Sequence, residues 1–328
     1  MYAHQEERSV EEVCYETNHI DKVIEIVNNT FEKYFDKFIM LEPGSIASEE
    51  EIKRLAEKFG VENVKVKKNI DITKKFKNIL VESVENFEKD RKKYEAIFDK
   101  ESLEEYEDDP QYFKSTVLKN ECPIIHSTLH NKRAKELDKY RYDFSIAKSQ
   151  ELLRVVSNLY NFAEQYINNY YDENLYDNVE KYEDLRISLL DTNDYTVYGV
   201  IGGGIKSHML YKVYPATFPN RSREAIWALW YLTDKKKFDC TQDSEFLMID
   251  IDKSLIQQNY FYPYELFVFY AHHIFKLINE KARENGVYID LNYRYVIVDV
   301  FLSFVANEHK AEIDFFRQQI REGVYGYV

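Results

Sequence analysis

Three consecutive glycines, Gly202, Gly203 and Gly204, are the residues of this sequence best suited to bind an anion. Lys206 and Ser207 follow them closely. Free backbone N–H groups at a glycine turn before a helix attract phosphate, and a neighbouring lysine adds positive charge. The sequence therefore predicts that these five residues contact a phosphorylated ligand.

The stretch around this turn lacks negative charge. Residues 195–223 contain no aspartate or glutamate, although the chain has 58 acidic residues. Arg221 and Arg223 lie at the end of this stretch, and we interpret both as further ligand contacts because guanidinium groups neutralise phosphate. The alternative is that the glycines only let a strand turn into a tightly packed helix, which requires no ligand.

The glycine pattern differs from a P-loop. Gly199 and Gly204 have the right separation, but Ile205 stands between Gly204 and the pair Lys206-Ser207, where the motif has lysine directly after glycine. No nucleophile elbow, dinucleotide-binding fingerprint or kinase motif set is present either. The sequence therefore leaves open whether the chain is an enzyme.

Acidic side chains beyond the turn are candidates for catalysis. Asp243, Glu245 and Asp250 lie in or beside a predicted strand. Clustered carboxylates hold Mg²⁺ or activate water, so we predict that these three act near the turn. The sequence identifies no cofactor beyond the Mg²⁺ that such carboxylates would bind. The alternative is a solvated loop around a buried strand.

Cys122, His126 and His130 are spaced by four residues. If Pro123 starts a helix, the three side chains share one face, and their types suit Zn²⁺. No fourth ligand follows in the sequence, so we expect structural roles and predict no metal site.

The bulk composition is typical of a soluble, acidic protein. The formal net charge of −14 repels phosphate backbones in general, so contact with nucleic acid requires a local basic patch. Three widely spaced cysteines and the absence of a long apolar run predict a cytoplasmic protein with no membrane partner. The strongest basic run consists of Lys65, Lys67, Lys68, Lys74, Lys75 and Lys77.

Helices must position most of these residues, because only 9 glycines and 6 prolines punctuate the chain. We predict a predominantly helical α+β fold, with an all-helical domain at residues 1–130 and an α+β domain at residues 131–328. The second domain would contain central buried helices and a small sheet, with strands at residues 195–201, 245–251 and 287–291. No flexible linker separates the two parts, so one continuous domain fits as well.

Two functional hypotheses follow from these features. The first is binding or processing of a phosphorylated small molecule, such as a nucleotide, or of a nucleic acid at the glycine turn. The second is a non-catalytic helical scaffold or interaction module, partnered by another protein, by a second copy of the chain, or by nucleic acid that contacts the basic run from Lys65 to Lys77. The long amphipathic helices and the 16% aromatic content favour the second hypothesis.

Overall fold

The structure, a computed structural model, describes residues 9–40, 71–132, 134–236, 238, 240, 244–250 and 255–325. Within these ranges most of the chain is helical, and the strands form a two-stranded antiparallel sheet. The predicted predominantly helical α+β class is thus confirmed. None of the helices in this part of the chain has the length and hydrophobicity that a membrane span requires.

The first part of the chain is helical wherever it is described. Aspartates cap several of these helices, as Asp71 does by accepting the Lys74 N–H at 3.0 Å. A π-helix (Phe113–Glu121) separates the last two. The helices are α1 (Val10–Val13), α2 (Thr17–Ile39), α3 (Ile72–Phe98), α4 (Lys100–Glu105), α5 (Pro110–Tyr112) and α6 (Pro123–His130).

The later part adds the small sheet to further helices. Strand β1 (Leu247–Asp250) pairs with β2 (Leu255–Gln258), with Leu247 opposite Gln258. Short 3-10 turns connect several of the helices. The helices are α7 (Asp138–Ile146), α8 (Ser149–Asn169), α9 (Glu173–Asp177), α10 (Gly203–Val213), α11 (Arg223–Leu232), α12 (Tyr264–Glu284), α13 (Arg294–Glu308) and α14 (Lys310–Tyr325).

One predicted strand is present and two are not. Strand β1 lies within the predicted range 245–251, whereas residues 287–290 form a loop and Leu291 begins a 3-10 turn. Residues 197–201 form a tight turn closed by Val197 and Ile201, with Gly199 at φ +78°. A Cβ at Gly199 would lie 2.2 Å from the Asp143 carboxylate. The alternation of apolar residues in this segment therefore comes from a turn. Val197 and Ile201 at its ends are buried, and Tyr198 is exposed.

An aromatic seam joins the first helices to a helix near the end of the chain. The ring of Phe38 in α2 lies 5.5 Å from both Phe301 and Phe304 of α13. Phe35 lies 5.6 Å from Phe76 of α3, edge to face. All five rings are buried in a core shared by helices from both sides of residue 130. The domain boundary near that residue stays a prediction.

We expect Phe38→Ala to lower the free energy of unfolding by about 3–5 kcal/mol, because it leaves a cavity in this seam. Urea denaturation followed by far-UV circular dichroism measures the change. Tyr142→Ala is the matched control, since the Tyr142 ring is 63% exposed, and it should change the free energy by less than about 0.5 kcal/mol. Similar small losses in both variants would contradict the role assigned to the seam.

Candidate anion-binding site

The glycine turn forms the beginning of α10. Gly202 caps the helix, and the first N–H that bonds back within it is that of Lys206, to the Gly202 carbonyl. The N–H groups of Gly203, Gly204 and Ile205 have no acceptor among the described residues. Gly204 is exposed and Gly203 is half-buried. These N–H groups and the helix dipole make this end of α10 positive.

The guanidinium of Arg221 lies directly against Gly203. A Cβ at Gly203 would be 1.6 Å from Nη2 and 2.5 Å from Cζ, so glycine is required for this approach. Arg221 is only 5% exposed. Its Nη1 donates to the Tyr262 carbonyl at 2.6 Å, and its Nη2 donates to the Tyr260 carbonyl at 2.8 Å. Its Nε has no partner in the described part of the chain.

The charge of Arg221 is not balanced by direct contact with an acid. Both of its acceptors are neutral carbonyls, and no described carboxylate forms an ion pair with it. Burial lowers the pKa of Arg221, and the negative charge of Asp191 opposes that shift. A buried cation beside the positive end of a helix is unfavourable unless an anion joins it.

The Lys206 side chain is buried within the protein. Its Nζ donates to the Leu190 carbonyl and lies 3.4 Å from Thr196 Oγ1, and the residue is 4% exposed. Burial lowers the pKa of Lys206 to about 8, and Asp191 opposes this shift while Arg221 adds to it. Lys206 therefore adds a buried positive charge close to the turn.

Ser207 and Arg223 occupy different positions from Arg221. The Ser207 hydroxyl donates to the Gly204 carbonyl at 3.1 Å and accepts the main-chain N–H of Arg221 at 3.0 Å. Ser207 thus fixes the Arg221 main chain to the turn. Arg223 lies on the surface at the start of α11, where its Nη2 donates to Glu224 at 2.7 Å. The structure therefore brings Arg221 to the turn but shows no contact between Arg223 and the turn.

Glu245 is fully buried and its carboxylate is already bonded. Its Oε2 lies 2.7 Å from His19 Nε2, and its Oε1 accepts from the hydroxyls of Tyr262 and Tyr270. Tyr262 links Glu245 to the turn, because its carbonyl accepts from Arg221 while its hydroxyl donates to Glu245. Glu245 thus lies one tyrosine ring away from Arg221.

The other two predicted catalytic acids lie outside the described residues. This applies to the whole of Asp243 and to the side chain of Asp250, whose main chain ends β1. Their grouping with Glu245 stays a prediction, as does Mg²⁺ binding by the three.

Sequence reasoning missed the residues that hold the site together. Asp191 accepts the N–H groups of Tyr264 and Glu265 at 2.8 and 3.2 Å, at the start of α12. The charge of Asp191 also acts on both Lys206 and Arg221. The Arg221–Tyr260 contact spans 39 residues, and the Asp191–Tyr264 contact spans 73. No local pattern can reveal contacts between segments so far apart.

The other sequence candidates lie elsewhere. Helix α6 begins at Pro123, which is the condition for Cys122, His126 and His130 to share one face. The rings of His126 and His130 stack with their centroids 4.0 Å apart. The described part of the chain nevertheless contains no group of three His, Cys, Asp or Glu side chains that could hold a metal.

The basic run is only partly described. Lys65, Lys67 and Lys68 lie outside the described residues. Lys75 in the first turns of α3 donates to the Met40 carbonyl at 3.1 Å. Contact of this run with nucleic acid stays a prediction.

The neighbouring glycines allow a matched test of the contact with Arg221. Gly203→Ala should lower the free energy of unfolding by about 1–3 kcal/mol, because the guanidinium must leave its two carbonyls to make room. At Gly204 a Cβ meets its nearest neighbour at an ordinary 3.7 Å. Gly204→Ala should therefore be neutral or stabilise by up to about 1 kcal/mol through helix propensity. Chemical denaturation of both variants measures the difference, and equal effects would disprove the close packing.

Lys206 should make stability rise with pH. The folded protein releases this proton near pH 8, the lowered pKa of Lys206, whereas the unfolded chain keeps it up to 10.5. The unfolded state binds more protons between these values, so the free energy of unfolding increases there as pH rises. From pH 7.5 to 9.5, the protein should gain roughly 2 kcal/mol relative to Lys206→Met.

Urea denaturation at the two pH values checks this prediction. The comparison with Lys206→Met cancels the titration of the many tyrosines. Lys100→Met is the control at an exposed lysine, and it should follow the pH dependence of the unmodified protein. A pH dependence that Lys206→Met leaves unchanged would show that the Lys206 pKa is not lowered.

Comparison with known proteins adds no further information on this site. No protein-family model matches the chain, and neither a curated protein nor a solved structure shows significant similarity to it.

Proposed function

We propose that this protein binds a phosphorylated ligand at the turn of Gly202, Gly203 and Gly204, with Arg221 as the principal cation. One observation carries the proposal. The Arg221 guanidinium is buried against Gly203, has an unpartnered Nε, and forms no ion pair among the described residues. This charge, which Asp191 offsets without direct contact, lies at the positive end of α10, where an anion would be stabilised.

The local charges support an anionic ligand. Lys206 and Arg221 contribute two positive charges, and Asp191 contributes one negative charge. The Asp191 carboxylate is already engaged by two N–H groups at the start of α12. Two buried cations thus share one carboxylate that acts on both, and burial makes incompletely paired charge costly. A bound anion would remove that cost.

The number of donors favours phosphate over a carboxylate. Three main-chain N–H groups, those of Gly203, Gly204 and Ile205, lack acceptors within the described part of the chain, and so does the buried Arg221 Nε, which lies beside Gly203. A phosphate group presents several strong acceptor oxygens in a tetrahedral arrangement, which suits a helix start flanked by an arginine. Ser207 holds the two parts together by bonding to both Gly204 and Arg221.

The proposal concerns binding and assigns no catalytic step. Glu245 is bonded to His19 and Tyr262 and is separated from Arg221 by the Tyr262 ring. The alternative hypothesis of an interaction module stays a prediction.

Glycine-selective ¹⁵N labelling tests the proposal directly, because the chain has only nine glycines. Titration with pyrophosphate should shift the amide signals of Gly203 and Gly204, whose N–H groups would bind the anion. The signal of Gly286, which follows α12, is the internal control and should not move. Gly202→Ala and Gly204→Ala assist the assignment, since each removes one signal.

Two arginine variants complete this test. Arg221→Lys keeps a positive charge but loses the Nε–H donor, so pyrophosphate affinity should fall about tenfold or more. Arg223→Lys, made two residues away on the surface, should change it by less than about twofold. Circular dichroism establishes that each variant is folded. The proposal fails if pyrophosphate leaves the signals of Gly203 and Gly204 unmoved in the unmodified protein.

A further inference from the structure

The loop that holds Arg221 also exposes an aromatic ring. The carbonyls of Tyr260 and Tyr262 accept from Nη2 and Nη1 of Arg221. Phe261 is the residue between these two tyrosines in the sequence. The main chain of Phe261 is fixed, since its N–H donates to Asn259 Oδ1 at 3.0 Å. Its side chain is nevertheless 73% exposed. A well-anchored residue thus presents a large apolar surface to solvent.

Bond lengths limit how far this residue can be from the turn. The path from Arg221 Nη2 through the Tyr260 carbonyl to the Phe261 Cα contains one hydrogen bond of 2.8 Å and three covalent bonds. The Phe261 Cα therefore lies within about 7 Å of the guanidinium. The guanidinium itself touches the backbone of Gly203. The exposed ring consequently belongs to a residue beside the proposed phosphate position.

An exposed phenylalanine alone requires no ligand, because single apolar side chains are common on protein surfaces. Phe261 is of interest because it lies near a cation, Arg221, and near the N–H groups without acceptors at the start of α10. Nucleotide-binding sites combine donors for phosphate with aromatic faces on which bases stack. The Tyr260 side chain, next to Phe261, is 54% exposed and enlarges the aromatic surface of the same loop.

We infer that the phosphorylated ligand is a nucleotide, whose phosphate binds at the start of α10 and whose base stacks on Phe261. This inference rests on the proposed phosphate site. A nucleotide joins a phosphate and a planar aromatic group through one sugar, which matches the short path between Arg221 and Phe261. The same chemistry is offered by a free nucleotide and by a nucleotide unit of single-stranded nucleic acid.

The net charge of −14 favours the free nucleotide over a long polyanion. Titration calorimetry with adenosine monophosphate, inorganic phosphate and a short oligoadenylate tests the inference on the full chain. We expect the mononucleotide to bind more tightly than phosphate. An oligoadenylate that binds more tightly still would support the same stacking and identify nucleic acid as the source.

Phe261→Ala should weaken binding of adenosine monophosphate by roughly 5- to 100-fold, which is the usual effect of losing one stacking partner. Binding of inorganic phosphate should be unchanged, because Phe261 does not contact the phosphate position. Phe261→Trp should restore nucleotide binding. Tyr288→Ala, at another ring that is 80% exposed, is the matched control and should bind both ligands as the unmodified protein does.

The outcomes separate this inference from the proposed function. If phosphate binds but adenosine monophosphate gains no affinity, or if Phe261→Ala keeps full nucleotide affinity, the stacking inference is overturned and the phosphate site remains. If neither phosphate nor the nucleotide binds, both are overturned.

Discussion

The contact between the Arg221 guanidinium and the backbone of Gly203 constrains three parts of the chain together. It requires a residue without a side chain at the start of α10. It requires two carbonyls from the loop before α12, those of Tyr260 and Tyr262. It also requires Ser207, whose hydroxyl accepts the Arg221 N–H. Because the guanidinium is buried, none of these groups can move independently without exposing or stranding a charge.

The electrostatics around this contact explain its surroundings. Asp191 is placed where its charge acts on both Lys206 and Arg221, and it caps α12 at the same time. The Asp191 carboxylate thus attracts both cations and also caps one helix. The stretch 195–223 contains no acidic residue. A further acid close to the turn would compete with the proposed anion for the positive charges there.

Much of the fold could be predicted from the sequence, because local rules determine it. Pro123 starts α6, and the three glycines begin α10, as the positions of proline and glycine indicate. The turn at 197–201 could not be predicted, since its apolar alternation is equally typical of a strand. For the site, proximity in sequence places Ser207 beside the glycines, and its hydroxyl donates to the Gly204 carbonyl. It cannot show that Lys206 bonds to Leu190 inside the protein while Arg221, farther along the chain, packs on Gly203.

The bond between His19 and Glu245 has a consequence for how the protein acquires this arrangement. It joins residues that are 226 positions apart, and Tyr262 connects the pair to the loop around Arg221. Contacts of such long sequence separation form late in folding, because the entropy of closing the intervening chain must be lost first. During synthesis, α2 leaves the ribosome long before its partner Glu245 does. The bond of α2 to Glu245 can therefore form only after that later part of the chain has been synthesised, and until then water satisfies the His19 ring.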